Sequence, residues 1–331
     1  MSDLIEISGL GKSFRQKHGE DITILREISF SLGKGETLCI LGESGCGKTT
    51  LGRIVAGLAD YTKGSYKFEG REVSSMSKEE WNEFRNSVQM IHQNPYESLN
   101  PTMMVFDIIA NPIRRHQKIK RIDQLYKKVT ELLETVGLTP VEDFVDKYPA
   151  FLSGGQRQRV SIARVLAMNP KLIVVDEATS MVDTSLRISL LSTLKKIQEE
   201  RHVSYFFITH DLALGKYFAQ GQKVAIMYLG RVVEESPTDE LVQNPCHPYT
   251  KAILSAAVGS SEILEKSYGE KYRLTGTDIP SFANIPSGCS LNPRCPQKIA
   301  GICEKEVPPF IEVEADHRVR CHLFEKEKTN G

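Results

Sequence analysis

The chain has 331 residues, of which 40% are hydrophobic, and its 42 basic side chains balance its 42 acidic ones. That length predicts two or three domains with full cores, and the neutral balance gives no indication of binding to nucleic acid or to an anionic membrane surface. The first residues lack the basic and then apolar stretch of a signal peptide, and no apolar run approaches the ~20 residues that span a bilayer. We therefore expect a cytoplasmic protein that acts at a membrane only through partners.

Two strands are predicted near the start of the chain, over residues 4–7 and 24–32, and apolar residues alternate with polar ones in the second. Phe14 lies between them on a predicted loop. An aromatic ring at that point can stack on an adenine base, whereas a buried one would pack in a small N-terminal sheet. Both interpretations of Phe14 stay open from the sequence.

Residues 42–50, GESGCGKTT, fit the phosphate-loop pattern of Gly, four residues and then Gly-Lys-Thr. A buried strand is predicted before them over residues 37–41, and a helix after them over residues 48–57. Glycines let several backbone N–H groups face one anion, and the helix N-terminus adds its positive dipole end. We expect Lys48 to reach the β- and γ-phosphates and the Thr49 hydroxyl to bind Mg²⁺. The predicted nucleotide-binding residues of the loop are Gly42, Ser44, Gly45, Gly47, Lys48, Thr49 and Thr50.

A side-chain amide follows a later predicted strand. Residues 66–70 predict a short strand, Ser77 and Glu80 have the spacing of a capping box that begins a helix, and residues 87–92 return as a strand. Gln93 comes next, and its amide oxygen can bind a metal ion or orient a water molecule. The alternative is a solvated glutamine in a loop.

Residues 95–167 predict a helical subdomain that is inserted into an α/β frame. Helices are predicted over residues 104–110 and 121–137, and in the second of these the apolar side chains share one face. Gly137 supplies the stop signal of that helix.

A second glycine-rich segment, LSGGQ at residues 152–156, precedes a predicted helix over residues 157–168. Ser153 can cap this helix, and the backbone amides of Gly154 and Gly155 offer another anion-binding N-terminus. The chain thus carries two segments suited to binding phosphate.

Two acidic residues end a continuous apolar strand over residues 172–177, a pattern typical of a parallel sheet buried on both faces. Asp176 suits the water shell of Mg²⁺ at the bound ATP, and Glu177 can polarise an attacking water. The next buried strand, residues 204–210, ends in His210 at the same predicted sheet edge. A hairpin with its turn at Gly230 is predicted beyond it.

In their order along the chain, these motifs resemble those of the ATP-binding subunits of ABC transporters, and the resemblance covers about residues 4–257. The matching residues are Gly42 to Thr49 of the phosphate loop, Gln93 of the Q-loop, Ser153 to Gln156 of the signature, Asp176 with Glu177, Asp183 of the D-loop and His210 of the switch loop. The resemblance implies an α/β P-loop NTPase with an antiparallel β subdomain, an inserted helical subdomain and a small Cys-rich C-terminal extension. The implied bounds are residues 1–94 and 168–235 for the core, 95–167 for the helical subdomain and 236–331 for the extension.

The same resemblance implies that ATP lies between the phosphate loop of one subunit and the signature loop of another, formed by Ser153, Gly154, Gly155 and Gln156. By this resemblance Glu177 is the general base and His210 contacts the γ-phosphate. Gln93 would link Mg²⁺ to the transport partner, and Asp183 would contact the other subunit of the dimer. The implied partners are two transmembrane permease subunits, a second ATPase subunit that is this chain or a paralogue, and indirectly an extracytoplasmic substrate-binding protein. No nucleic acid is expected.

Residues 93–101 and 247–250 look like the oligopeptide and dipeptide importer branch, which nickel importers share. One departure is Ala178 in place of the usual proline, and another is Met181-Val182 in place of Ala-Leu. We expect hydrolysis to be retained because the acids are present.

Four cysteines lie near the C-terminus, at Cys289, Cys295, Cys303 and Cys321. Their spacings fit neither short zinc motifs nor ferredoxin runs, so zinc, an iron–sulfur cluster and unligated thiols all stay open from spacing alone. The resemblance to peptide-importer ATPases favours a 4Fe-4S cluster, with zinc as the alternative.

Other residues near these cysteines receive ordinary interpretations. His317 and His322 flank the last cysteine and could replace one of the metal ligands, but they are expected on the surface. Cys39, Cys46 and Cys246 are expected to be isolated.

The first functional hypothesis is the ATPase subunit of a di- or oligopeptide importer. Its rivals are a nickel importer ATPase, a soluble ABC-type ATPase that acts on nucleic acid or ribosomes, and an iron–sulfur redox protein with an ancillary nucleotide site.

Overall fold

The fold is that of a computed structural model, which describes residues 3–16, 19, 21–94, 99–178, 184–257, 273–276 and 278–329. In chain order the strands are β1 (Ile5–Phe14), β2 (Ile22–Leu32), β3 (Thr37–Leu41), β4 (Lys63–Phe68), β5 (Arg71–Glu72), β6 (Val88–Ile91), β7 (Leu172–Asp176), β8 (Ser204–Thr209), β9 (Lys223–Tyr228), β10 (Arg231–Pro237), β11 (Ile311–Glu314) and β12 (His317–Val319). The α-helices are α1 (Lys48–Val55), α2 (Lys78–Ser87), α3 (Val105–His116), α4 (Ile122–Thr135), α5 (Gly154–Leu166), α6 (Thr184–Arg201), α7 (Leu212–Phe218), α8 (Thr238–Gln243) and α9 (Pro248–Ala257). Short 3₁₀ helices span Val73–Ser75, Val141–Asp143, Pro149–Phe151 and His322–Thr329.

An eight-stranded sheet with the order β11-β12-β10-β9-β3-β8-β7-β6 forms the centre of the molecule. The strands β9, β3, β8, β7 and β6 are parallel neighbours, and β10, β12 and β11 continue the sheet with antiparallel pairing. The carboxyl ends of β3, β7 and β8 therefore lie at one edge, which is where α/β sheets bind ligands.

The inner residues of β3, β7 and β8 are apolar because both faces of the sheet are covered. In β3, Leu38 and Ile40 belong to one hydrophobic cluster, while Cys39 and Leu41 belong to the cluster on the opposite face. Successive side chains of a strand point to opposite faces, so a doubly covered strand needs an apolar residue at every position. This confirms the interpretation of these runs as buried parallel strands.

A second, antiparallel sheet of four strands, β2-β1-β4-β5, packs over one of these faces. The predicted strand over residues 4–7 is in fact longer, because β1 continues to Phe14, which pairs with Ile22. The prediction that Phe14 lies on a loop was wrong. Bulges between Ile7 and Leu10 and between Leu10 and Lys12 interrupt the alternation of apolar residues, so the strand pattern in the sequence stops before the strand itself ends.

The helices α3, α4 and α5 pack around one another and bury their apolar faces in the other cluster. The capping box of α2 is confirmed, since the Ser77 side chain accepts from the Glu80 N–H and the Glu80 carboxylate accepts from the Ser77 N–H. The helix after the LSGGQ segment begins at Gly154 rather than at residue 157, so its two glycines are helical residues. The helix predicted over residues 104–110 continues to His116, because Ile113 extends its buried face.

The C-terminal segment continues the main sheet. Strand β12 pairs with β10 through Glu234 opposite Val319, and β11 forms the outer edge. Among the described residues, no helix is long and apolar enough to cross a membrane.

Candidate functional site

The phosphate loop connects β3 to α1. Gly47 is the N-cap of α1 and has a φ of 106°, a left-handed conformation that side-chain-bearing residues rarely adopt. Lys48 begins the helix and is buried, and its Nζ donates to the carbonyl oxygens of Gly42 and Glu43 at 2.8 and 3.0 Å. These contacts fix the ammonium group inside the loop, where the backbone amides and the dipole of α1 favour an anion.

Asp176 ends β7 beside this loop. The Thr49 hydroxyl donates to Asp176 Oδ1 at 3.2 Å, and the carboxylate is buried. Burial raises the pKa of Asp176 to about 6, although the hydrogen bond from Thr49 opposes the shift. The adjacent hydroxyl and carboxylate oxygens are ligands of the kind that Mg²⁺ prefers, so the donor set fits that ion.

Glu177 lies at the centre of a group of polar side chains from different elements. Its Oε1 is 3.2 Å from Nδ1 of His210 and 3.9 Å from Nζ of Lys48, and its Oε2 accepts from Nε2 of Gln93 at 3.3 Å. The Glu177 N–H donates to the carbonyl of Ile208 at 3.1 Å, which holds the residue at the end of β8. The predicted polar residues at the ends of β6, β7 and β8 thus meet at one place.

A cavity of about 720 Å³ joins these groups, a volume suited to a nucleotide. Phe14 borders this cavity with about half of its surface exposed. That exposure favours a ring available to a ligand over a ring packed in the sheet. The residues that line the cavity are Phe14, Gln16, Ile22, Ile24, Ser44, Gly45, Gly47, Lys48, Thr49, Thr50, Gln93, Glu177 and Phe282.

Sequence reasoning missed three apolar residues of this lining. Ile22 and Ile24 belong to β2 and belong to no motif, and Phe282 lies more than two hundred positions beyond the phosphate loop. No local pattern marks any of them.

The signature segment forms a separate site. The Ser153 side chain accepts from the Gln156 N–H at 3.3 Å, and the Gln156 side chain accepts from the Ser153 N–H at 2.9 Å, so a capping box opens α5. Ser153, Gly155 and Gln156 line a second cavity of about 250 Å³, whose described lining includes no phosphate-loop residue. Gly154 is the first residue of α5. Asp183 lies outside the described residues.

The seven cysteines are all unpaired thiols. Burial raises the pKa of Cys289, that of Cys295 to about 11 and that of Cys321 to about 12, and neighbouring C-terminal cysteines raise each further. The four thiols predicted as metal ligands therefore lie near one another. Within the described chain, no three of them have sulfur atoms that all lie within 4.8 Å of one another.

Two predictions about the residues around these thiols were wrong. Cys246 is not isolated, because its Sγ lies within 4.8 Å of ligand atoms of both Glu234 and His317. His317 and His322 are buried rather than on the surface. His317 Nε2 is 2.8 Å from Glu234 Oε1, and His322 Nε2 is 2.9 Å from the carbonyl oxygen of Glu306.

The set of Glu234, Cys246 and His317 has protein partners without a metal ion. The Glu234 carboxylate also accepts from the backbone N–H groups of Cys246 and His247 at 2.6 and 2.9 Å, and the Cys246 thiol donates to the carbonyl of Asn244. We interpret this set as a buried ion pair that fastens β12 and the start of α9 to β10.

Comparison with known proteins adds to this geometry. A family model described as ABC transporter matches residues 25–180, and one described as oligopeptide/dipeptide transporter, C-terminal region, matches residues 233–303. The chain is similar to the oligopeptide transport ATP-binding protein AppF of Bacillus subtilis, with 41% identity over 94% of this chain and 92% of that protein. It is also similar to the probable peptide ABC transporter ATP-binding protein y4tS of Sinorhizobium fredii, with 39% identity over 98% of this chain and 91% of that protein.

A solved structure agrees with the fold. The structure described as a dimeric, post-hydrolysis state of the ATP-binding cassette MJ0796 bound to ADP and Pi superposes with a TM-score of 0.63 at 26% identity, over 71% of this chain and 98% of that chain. These matches point to the same family as the order of the sequence motifs.

Proposed function

Because the chain belongs to the ABC transporter family and is an ATPase of that family, we propose that it energises an importer of di- or oligopeptides across the cytoplasmic membrane. The observation that carries this proposal is the match of residues 233–303 to the C-terminal region of oligopeptide and dipeptide transporters. That region begins in β10 of the main sheet, so the part that points to peptide transport is built into the ATPase core.

The site residues support one division of labour in hydrolysis. Lys48 and the phosphate-loop amides bind the phosphates, Glu177 accepts the proton of the attacking water, and His210 contacts the γ-phosphate. Gln93 hydrogen-bonds Glu177, so it can orient both the base and the water. Thr49 and Asp176, with Gln93 nearby, would hold Mg²⁺, which supplies charge neutralisation at the phosphates.

The working unit in this proposal is a head-to-tail dimer. The separate cavity beside Ser153, Gly155 and Gln156 supports it, because that segment then serves the ATP held by the other subunit. We expect Asp183 to contribute to the same interface. The second subunit is this chain or a paralogous ATPase.

The remaining partners follow from the importer proposal. Two transmembrane permease subunits would receive the force of dimer closure and hold this chain at the inner face of the membrane. A substrate-binding protein on the other side would act on it only through them.

For the four C-terminal cysteines we propose a 4Fe-4S cluster held by Cys289, Cys295, Cys303 and Cys321. The proposal is supported by the proximity of these thiols, since the Cys289 N–H donates to the Cys303 carbonyl at 2.8 Å and Cys303 also neighbours Cys295 and Cys321. Four thiolates can complete either a tetrahedral zinc site or a 4Fe-4S cluster, so zinc is the alternative that metal analysis distinguishes. Iron and acid-labile sulfide in anaerobically purified protein, lost in a Cys295→Ser variant, would support the cluster, and stoichiometric zinc without iron would refute it.

The importer function is tested by reconstitution with co-expressed permease subunits and the substrate-binding protein in liposomes. We expect ATP-dependent uptake of a labelled tripeptide that is abolished by Lys48→Ala. Uptake of Ni²⁺ without peptide uptake would assign the chain to nickel import. ATPase activity that RNA or DNA stimulates and permeases do not would favour the soluble alternative.

The assignment of the base is tested on the ATPase alone. We expect Glu177→Gln to bind ATP and accumulate as a dimer without turnover. A Glu177→Gln protein that hydrolyses ATP at the wild-type rate would overturn the role of Glu177.

A further inference from the structure

The C-terminal extension contacts the phosphate loop directly, through residues 278–295, which we call the tail clamp. Arg294 of the clamp is buried, and it contacts Glu43 of the phosphate loop, which lies 251 positions earlier in the chain. The clamp is fastened nearby as well, since Nη2 of Arg26 in β2 donates to the Ser290 hydroxyl at 3.1 Å.

Arg294 binds Glu43 with both terminal nitrogens. Nη1 is 3.1 Å from one carboxylate oxygen and Nη2 is 3.2 Å from the other, which is the bidentate geometry of the guanidinium fork. Nη1 also donates to the Tyr228 hydroxyl at 3.3 Å, and Nε donates to the carbonyl of Gly276 at 3.0 Å. Each of the three guanidinium nitrogens thus donates at least one hydrogen bond, which holds the charge of Arg294 in place.

Glu43 is held from its backbone too. Its N–H donates to the hydroxyl of the buried Tyr249 in α9 at 3.1 Å, and its carbonyl accepts from Lys48 Nζ. A chain of contacts therefore runs from Arg294 through Glu43 to Lys48.

The negative charge of Glu43 affects how strongly the phosphate loop can bind ATP. A carboxylate within the phosphate loop repels the triphosphate that the loop binds, and the repulsion is strong where solvent screening is partial. Arg294 neutralises that carboxylate, and its bidentate contact fixes the Glu43 side chain in one conformation.

Phe282 of the same clamp reaches the nucleotide cavity itself. It lines the cavity with Phe14 and Lys48, and its ring lies near Gly230, where an added Cβ would meet Cε1 of Phe282 at 3.4 Å. The Gly230 N–H donates to the carbonyl of Cys46 at 2.9 Å, so this aromatic ring lies beside the phosphate loop.

We propose that the C-terminal extension completes the ATP site, with Phe282 as a further nucleotide contact and Arg294 as a positioning residue that acts through Glu43. The proposal rests on the ATPase activity of the chain and not on the nature of the cargo.

The role of Arg294 is tested with Arg294→Met, Glu43→Gln and the double variant, using fluorescent mant-ATP binding and steady-state hydrolysis by the full chain. We expect Arg294→Met to raise the Kd and the KM for ATP about ten-fold, with a smaller change in kcat, because Glu43 is left without its counter-charge. Glu43→Gln alone should change the Kd less than three-fold, and adding it to Arg294→Met should restore binding.

If adding Glu43→Gln restores ATP binding to Arg294→Met, then Arg294 acts by neutralising Glu43 and not only by stabilising the fold. If Arg294 only holds the fold together, the double variant binds ATP as weakly as Arg294→Met or more weakly, and that result refutes the role. Thermal denaturation of each variant identifies any that fail to fold, and the half-buried Phe282 provides an independent test.

Phe282 is tested by Phe282→Ala against Phe310→Ala, a matched control in the same extension that does not line the cavity. We expect about ten-fold weaker mant-ATP binding for Phe282→Ala and an unchanged value for Phe310→Ala, as for removal of an aromatic ring that stacks on a base. Trp81 is the single tryptophan of the chain, so Phe282→Trp combined with Trp81→Phe gives one fluorescent reporter. Its emission should change saturably with ATP.

Equal ATP binding by both alanine variants, together with a tryptophan emission that does not respond to ATP, would show that Phe282 does not contact the nucleotide. These measurements use the isolated chain. Failure of peptide uptake in liposomes would therefore leave them unaffected, and their failure would leave the importer proposal standing.

Discussion

The buried ion pair between β10 and β12 gives a prediction about stability. Glu234 is fully buried, and its carboxylate accepts hydrogen bonds from two backbone N–H groups as well as from His317. In Glu234→Gln the amide nitrogen cannot accept, so at least one buried donor loses its partner and His317 loses its counter-charge. Removing one member of a buried pair costs about 3–5 kcal/mol, so we expect the free energy of unfolding to fall by about 3 kcal/mol.

The neighbouring acid provides the control. Glu235 pairs with Arg318 at 2.8 Å on the same two strands, but about a third of the Arg318 side chain is exposed. Glu235 itself is buried, but the partly exposed guanidinium of Arg318 keeps its contact with water, so we expect Glu235→Gln to cost only about 1 kcal/mol. Thermal denaturation near neutral pH should show a fall in Tm of roughly 4 °C for Glu234→Gln and much less for Glu235→Gln. Equal losses would refute the argument from burial.

The same pair predicts a pH dependence. Burial lowers the pKa of His317, but hydrogen bonds to Cys246 and Glu234 outweigh burial and raise the pKa from 6.5 to about 10. A raised pKa means that the stabilisation is fully present below pH 6.5 and is lost as the pH rises toward 10. The stability gap between the wild type and Glu234→Gln should therefore narrow over that range. A gap that widens with pH would show that His317 is neutral in the folded protein.

Three further predictions concern the nucleotide site. Because burial raises the pKa of Asp176 to about 6 in the metal-free site, protons should compete with Mg²⁺ and the affinity for Mg²⁺ should fall as the pH drops through 6, whereas an affinity unchanged down to pH 5 would contradict the role of this carboxylate in the Mg²⁺ site. Ser153→Ala removes the cap of α5 at a cost of about 1 kcal/mol. We expect slower hydrolysis but unchanged binding of mant-ATP to the monomer. Weaker binding to the monomer would show that the signature segment contacts the ATP of its own subunit, against the proposal. Gly230→Ala puts a Cβ 1.9 Å from the carbonyl oxygen of Ile24 and should abolish soluble expression. Gly221→Ala is the control, because Gly221 has a similar φ but open space around it, and we expect it to lower the free energy of unfolding by only about 1 kcal/mol. Similar yields of the two variants would refute this steric argument.

The parts of the site that are local in sequence could be predicted. The phosphate loop and the LSGGQ segment each consist of consecutive residues at the start of a helix, so spacing and helix capping suffice to identify them. The meeting of Gln93, Glu177 and His210 follows from one further rule, because each residue lies within two positions of the end of a parallel strand and those strands end at one sheet edge.

The parts that depend on distant pairing could not be predicted. Nothing in the residues around Arg294 or Phe282 indicates a phosphate loop, because the contact is created when the C-terminal segment folds back over β9 and β10. His317 was expected on the surface because no short-range pattern places Glu234, 83 residues earlier, beside it. In β1 the cause was different, since bulges shifted the alternation that marks a strand.

The contact between Glu43 and Arg294 has a consequence for biosynthesis. The phosphate loop leaves the ribosome among the first residues, and the arginine that grips it is added 251 residues later. If Arg294 has the proposed role, the nascent chain carries an acidic loop of lower ATP affinity until residue 294 has been added and has folded onto it. A product that terminates before Arg294 would then bind ATP about ten-fold more weakly than the full chain, as expected for Arg294→Met.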